Sequence, residues 1–217
     1  MQVLVLADIH ANLAALEVVL ARWDGASAPE IWCLGDMVGY GPEPNRCLER
    51  IRALPTKLIP GNHDWAAIGK LDVAQFNPYA RYAALWTAGE LTPGNRDYLM
   101  GLPITLAEPD STLAHGSPRH PIWEYIFHPA VAKASFAYFD TRLCLVGHTH
   151  VPAIFLEPIA GGEVFLFLPP EGERFSLPEG RFIINPGAVG QPRDGDPRAS
   201  YAIYDSETRT VEHRRVP

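Results

Sequence analysis

Val3-Leu4-Val5-Leu6-Ala7-Asp8-Ile9-His10 runs five apolar residues straight into a polar block that holds a carboxylate and an imidazole. The pattern then repeats. Ile31-Trp32-Cys33-Leu34 leads into Gly35-Asp36, and Thr56-Lys57-Leu58-Ile59-Pro60 leads into Gly61-Asn62-His63-Asp64. Ser111-Thr112-Leu113-Ala114 is followed by His115-Gly116, and Leu143-Cys144-Leu145-Val146 by Gly147-His148-Thr149-His150. Short continuous apolar runs bounded by turn residues read as strands buried on both faces. In open α/β sheets ligands gather beyond the carboxyl ends of the strands, so the spacing predicts that the five blocks converge on one rim. Glycine at 35, 61, 116 and 147 would let the chain turn sharply there without a Cβ in the way.

The blocks hold five of the eight histidines, three aspartates and one asparagine. This is an oxygen and nitrogen donor set that suits Mn, Fe, Ni or Zn and needs no thiolate. Such a set points to a metal-dependent hydrolase.

The ordered series D-x-H, G-D, G-N-H-D, H-G and G-H-T-H, from residue 8 to residue 150, resembles the calcineurin-like metallophosphoesterase family. Asn185-Pro186-Gly187-Ala188-Val189-Gly190-Gln191-Pro192-Arg193-Asp194 resembles a segment of its small prokaryotic phosphodiesterase branch. Alanine stands at 11, where the family usually has glycine, and at 188, where serine is usual; neither change removes a ligand.

The resemblance implies a four-layer α/β/β/α sandwich with two mixed sheets. It also implies a dinuclear centre of two divalent ions, Mn first, with Fe, Ni or Zn as alternatives. One ion would take Asp8, His10 and His150, and the other Asn62, His115 and His148, with Asp36 bridging them. Two metals about 3.5–4 Å apart can clamp the attacking and leaving oxygens of an in-line phosphoryl displacement, and a hydroxide shared between them would attack. His63 would face the phosphate and protonate the leaving oxygen, with Asp64 orienting its ring. Small phosphodiesters, nucleotide-like ones included, are the substrates implied. The rivals on the same centre are a dinucleoside polyphosphate hydrolase and a serine/threonine phosphoprotein phosphatase. A rival of another class is a non-catalytic metal-binding scaffold, such as the retromer subunit of this superfamily; that scaffold lacks the histidine found here as His63.

Three further residues are candidates for substrate binding: Asn12, Arg119 and Arg193. Asn12 precedes Leu13, Leu16, Val19 and Leu20 and serves equally well as a helix N-cap. Arg119 lies in the loop Gly116 to Tyr125, where Trp123 and Tyr125 either stack on a base or pack beneath the loop. Arg193, beside Asp194, either contacts substrate or closes a loop ion pair.

At 217 residues one metallophosphoesterase domain over 1–217 is expected, with a helical insertion at about 65–110. The formal net charge of −7 argues against a general nucleic-acid binder. No apolar run approaches the ~20 residues of a membrane span. The absence of a basic, apolar leader and three cysteines without C-x-x-C spacing together suggest reduced thiols in a cytoplasm. Oligomeric state is not encoded legibly. Helices are predicted over Leu13 to Trp23, Pro44 to Ala53, Tyr79 to Glu90 and Pro93 to Met100, the last with Thr92 as N-cap. The five apolar stretches between Ala153 and Arg214 read as strands of a second sheet, and Pro169 to Gly180 as a hairpin connection or mobile loop.

Overall fold

The computed structural model describes residues 1–23 and 30–217. The opening run forms β1 (Gln2–Leu6), followed by α1 (Leu13–Arg22), β2 (Glu30–Cys33), α2 (Pro44–Arg52) and β3 (Thr56–Leu58). β2 pairs parallel to both β1 and β3. Asn12 starts α1 by accepting from the Ala15 amide, and Leu13, Leu16 and Val19 are its buried face. Pro44, free of any need for an amide partner, opens α2, which buries Cys47, Leu48 and Ile51.

Three helices follow: α3 (Asn62–Ala67), α4 (Pro78–Glu90) and α5 (Pro93–Met100). Asn77 caps α4, and Thr92 caps α5 with Pro93 behind it, as its sequence predicts. The remaining elements are β4 (Thr105–Ala107), β5 (Ser111–Ala114), α6 (Pro129–Ser135), β6 (Leu143–Leu145), β7 (Ala153–Glu157) and β8 (Phe165–Phe167). Last come β9 (Arg174–Ser176), β10 (Arg181–Asn185), β11 (Ala199–Asp205) and β12 (Thr210–Val216).

The strands make two six-stranded sheets, ordered β3-β2-β1-β11-β12-β9 and β4-β5-β6-β10-β7-β8. Both are mixed: β1 is parallel to β2 but antiparallel to β11, and β10 is parallel to β6 but antiparallel to β7. The strands after His150 therefore do not form a sheet of their own. β7, β8 and β10 complete the sheet of β5 and β6, while β9, β11 and β12 extend the sheet of β1. The physical reason is that β1 and β6 are each covered on both faces and need an apolar partner at their free edge. β10 and β11, buried along most of their length, fill those two places. Alternation along a strand reports which face is buried and carries no information about which sheet receives it. The stretch 169–180, expected to be only a connection, contains β9 paired to β12.

Side chains alternate across the strands and so define the layers. Val3, Val5, Trp32 and Leu34 meet Leu143, Leu145, Phe182 and Ile184 between the two sheets. Leu4, Leu6, Ile31 and Cys33 face α1 and α2. Cys144, Val146, Phe155 and Ile183 face Ala132 of α6 and the neighbouring Phe136. The order is helix, sheet, sheet, helix. All three cysteines are buried and unpaired, and burial pushes each thiol up, which keeps it neutral. Among the described residues no helix is long and apolar enough to cross a membrane.

Candidate metal centre and the cavity above it

The five polar blocks meet where the carboxyl ends of β1, β2 and β3 come together with those of β5 and β6. Backbone bonds lock the loops to one another: the Asp8 amide donates to the Gly35 carbonyl at 3.1 Å, His10 to Asp36 at 2.9 Å, and Gly147 to His115 at 2.8 Å. Asp8, His10, Asp36, His148 and His150 all take positive φ, between 47° and 66°. Residues other than glycine seldom adopt that conformation, at a cost of order 1–3 kcal/mol each, and hold it only where their surroundings over-determine it. Gly35, at φ 91°, has no such cost, and a Cβ there would fall 2.6 Å from the Gly61 amide nitrogen. A Cβ on Gly61 would strike the Asp36 carboxylate. The two glycines let the β2 and β3 loops touch backbone to backbone under the site.

Each of four imidazoles is pinned through one nitrogen to a backbone carbonyl. His10 Nδ1 lies 3.1 Å from the Val38 oxygen, His115 Nδ1 2.7 Å from Leu34, His150 Nδ1 2.6 Å from Gln191, and His148 Nε2 3.2 Å from Trp123. A carbonyl only accepts, so the ring proton sits on that nitrogen and the other nitrogen points inward with a lone pair. The inward nitrogens of His10 and His150 are 3.1 Å apart, as are those of His115 and His148. The Asn62 Oδ1 also stands 3.1 Å from His115 Nε2. Asp8 Oδ1 is buried without a donor, 3.3 Å from His150 Nε2 and 3.9 Å from His10 Nε2. Lone pairs facing lone pairs at such separations need cations between them, and this donor set suits a divalent ion.

Two groups emerge. Asp8, His10, Asp36 and His150 offer ligand atoms all within 4.8 Å of one another, and so do Asp36, His115 and His148. Asp36 belongs to both. Its Oδ1 accepts from the His63 amide at 2.8 Å, which turns Oδ2 toward His10 Nε2 at 3.7 Å and His115 Nε2 at 3.4 Å. Burial pushes the Asp36 carboxyl up, but His115, His63 and His10 outweigh it and hold it well below the usual range. Burial likewise pushes Asp8 up, and His150 reverses the balance. Burial pulls His115 down, yet Asp36 lifts it to about 9, so without a metal its inward nitrogen holds a proton that a bound cation would displace; at His10 and His148 burial prevails, bringing His148 to about 3. The carboxylates thus stay anionic and attract positive charge into the cluster.

Asn62, His63 and Asp64 form the first turn of α3. Neighbours on a helix point in different directions, and this corrects one sequence expectation. Asp64 does not orient the His63 ring: its oxygens accept from the Val38 amide at 3.1 Å and the Gly61 amide at 2.9 Å, bracing the β2 and β3 loops. Burial and the nearby Asp36 raise the Asp64 carboxyl to about 7 despite those donors. The His63 ring packs edge-on to His10 and leans against Tyr40 and Phe76, at centroid distances of 4.9, 4.6 and 5.0 Å. Its Nδ1 is buried with no partner, and burial lowers its pKa.

The other candidates separate cleanly. Arg193 lines the cavity over the centre, its guanidinium 5.9 Å from the Tyr40 ring centroid. Arg119 does not: it is committed to Glu124, which also takes the Ser117 hydroxyl. Asn12 is used up structurally, its oxygen capping α1 and its amide nitrogen donating to the Gly190 carbonyl at 3.1 Å.

The cavity has a volume of about 220 Å³, with Asp36, Asn62, His148 and His150 among its floor residues and His63 on its wall. Trp123 and Tyr125 reach its wall rather than the core below the loop; Tyr125 stacks on His148 at 3.8 Å, and Trp123 stacks on Phe76 at 5.2 Å. Tyr40, Phe76 and Asn77 also line it and were not singled out from the sequence. Gly39 and Gly41 flank Tyr40 and mark its strained turn, at φ 60°. No comparable signal marks Phe76 or Asn77.

Comparison with known proteins agrees with this geometry. The family model described as the calcineurin-like phosphoesterase superfamily domain matches residues 1–209. An uncharacterized protein of Methanocaldococcus jannaschii is 40% identical over 217 residues, covering 98% of this chain and 86% of that one. The crystal structure of a metallophosphoesterase from Sphaerobacter thermophilus superposes with a TM-score of 0.87 at 49% identity, covering 100% of this chain and 89% of the other. The phosphodiesterase YfcE of Escherichia coli is 25% identical over 221 residues, covering 97% of this chain and 91% of its own.

Proposed function

Since the chain belongs to the calcineurin-like phosphoesterase superfamily and is a metallophosphoesterase, we propose that it hydrolyses small phosphodiesters at a centre of two divalent ions. Asp8, His10 and His150 would hold one ion and Asn62, His115 and His148 the other, with Asp36 shared; Mn²⁺ is the ion we assign. Bound there, the pair would activate water and offset charge on the phosphoryl group. The carbonyls of Leu34, Val38, Trp123 and Gln191 hold the four rings in the tautomer that presents a lone pair. His63, at the cavity wall, is the group we assign to face the phosphate and give a proton to the leaving oxygen. Asp64 acts through the backbone of its own loop. Residues 1–217 would work as one domain, because both sheets contribute ligands to one centre.

The observation that carries the diester reading is the charge and shape of the cavity. Among its described lining residues Arg193 is the one cation besides histidines, and the rest of the wall is largely aromatic. A phosphodiester carries one negative charge, which a single guanidinium can pair. Polyphosphates carry several. Trp123 and Tyr125 suit a flat substituent such as a base, a contact worth ~1–3 kcal/mol. The net charge of −7 would repel long nucleic acids, and the Escherichia coli relative is itself named a phosphodiesterase. Three buried, unpaired cysteines suit work in the cytoplasm.

The test is kcat/KM, with Mn²⁺ restored after chelation, for matched mono- and diesters, a dinucleoside tetraphosphate and a phosphoserine peptide. The diester is expected to lead. A clear lead for the tetraphosphate or the peptide overturns the substrate class, and no turnover of any of them would favour a scaffold.

A further inference from the structure

α4 turns its large side chains the wrong way for a helix that serves only the core. Its buried residues are the small Ala80, Ala84 and Thr87, whereas Tyr79 is 84% exposed, Tyr82 75% and Leu85 54%. Amphipathic helices normally bury their bulky apolar face. On this outer face a shallow groove of about 290 Å³ runs between Phe76, Pro78, Arg81, Tyr82 and Leu85.

The groove is not separate from the candidate centre. Phe76 lines both the groove and the catalytic cavity, and its ring lies 5.0 Å from that of His63. The cavity alone, at about 220 Å³, is smaller than the ~300–1,000 Å³ of sites that enclose a drug-sized ligand. A phosphoester with a sizeable substituent must extend out of it. On the side of His63, Phe76 is the lining residue that the cavity and the groove share.

We infer that the groove on α4 is a subsite for the leaving alcohol of the substrate, and that it takes a flat aromatic alcohol such as an aryl or nucleoside group. The assignment rests on the reading of His63 as the residue that faces the leaving oxygen. Phe76 holds the near end of that group, and Tyr82 and Leu85 hold the far end. Arg193, Trp123 and Tyr125 are left for the phosphate and the substituent that stays on it. Exposed aromatic side chains on an alanine-lined helix then have a use at the mouth of the site.

The experiment compares the wild-type enzyme with Tyr82→Ala/Leu85→Ala, both changes being to a good helix former at exposed positions. Substrates are methyl 4-nitrophenyl phosphate, methyl 4-methylumbelliferyl phosphate and thymidine 5′-(4-nitrophenyl) phosphate. The first two differ in leaving-group size at similar acidity; the third enlarges only the retained substituent. The variant is expected to lose roughly tenfold in kcat/KM on the umbelliferyl ester, the scale of one aromatic contact, and much less on both nitrophenyl esters. An equal loss on the two methyl esters, or a loss that follows the thymidine, overturns the subsite. So does a change from dimer to monomer by sedimentation, which would assign the groove to a second copy of the chain. If the wild type hydrolyses monoesters only, the diester reading fails, and the same leaving-group pair as monoesters still decides the subsite.

Discussion

On the floor of the cavity, each of four imidazoles has one nitrogen fixed on a backbone carbonyl, while the wall is formed by the rings of Tyr40, Phe76, Trp123 and Tyr125, and outside it the rings of α4 stand free over a face of small residues. The floor uses left-handed backbone at five candidate ligand residues, Asp8, His10, Asp36, His148 and His150. The wall, apart from Tyr40, uses ordinary helix and loop, and offers mainly aromatic area. Where chemistry needs donors at set positions, the chain fixes backbone, ring and tautomer together. Where it needs only shape, side chains suffice. Changes to the floor are therefore expected to alter metal content and kcat, and changes to the wall other than at His63 KM and substrate preference.

The largest effect should come from Asp36→Asn, the one ligand common to both groups. Activity should fall by well over the roughly hundredfold that supporting residues of metal sites cost, and metal analysis should show a deficit. His63→Ala comes next: about 10²–10⁴ lost in kcat with the metals retained, and less with an acidic leaving group that needs little protonation. An empty metal site in that variant would move His63 from the wall to the floor. On the wall, Arg193→Ala should raise KM for a diester about tenfold, the range of one charge-assisted hydrogen bond, with kcat little changed.

A smaller effect lies away from both regions. His213 of β12 gives its Nε2 proton to the Ser200 hydroxyl at 2.8 Å, which donates to the Pro186 carbonyl at 2.6 Å. Its Nδ1 is buried without a partner. Burial, aided by Arg215, pulls its pKa down to about 4. The folded protein thus favours the neutral ring, and the stabilisation is present above the ordinary value near 6.5 and lost as the pH falls from there to about 4. The whole is worth roughly 3 kcal/mol. Urea denaturation of wild type and His213→Gln between pH 7 and 4 should show a shallower acid decline in the variant; parallel curves would remove His213 from the account.

The same contrast explains what could be read in the sequence. The convergence of the five polar blocks was legible because a strand that ends at such a site leaves two signals side by side, an apolar run and a polar residue with a nearby glycine. α5 was legible from its cap at Thr92 and the proline behind it, and α4 was read from Tyr79, one residue inside its start at Pro78. Sheet membership after His150 was not, since pairing partners are chosen by tertiary packing. The bracing role of Asp64 was hidden because Asn62 to Asp64 reads as a loop, and only the helical turn sends adjacent side chains apart. Arg119 was equally opaque: its partner Glu124 is near in sequence, but the loop that brings them together carries no periodic signal. Ala11 shows a limit of another kind. It occupies φ 53°, which explains why glycine is usual there, yet no local rule foretells that alanine is accommodated.

We propose that the floor is a two-ion site organised by Asp36. Metal-free protein titrated with Mn²⁺, followed together by bound metal per chain and by diester hydrolysis, tests it most directly. Activity should rise in step with occupancy, bound metal should saturate at two ions per chain, and in Asp36→Asn it should fall short of two. Full activity with one ion or none, or two tightly held ions in Asp36→Asn, would contradict it.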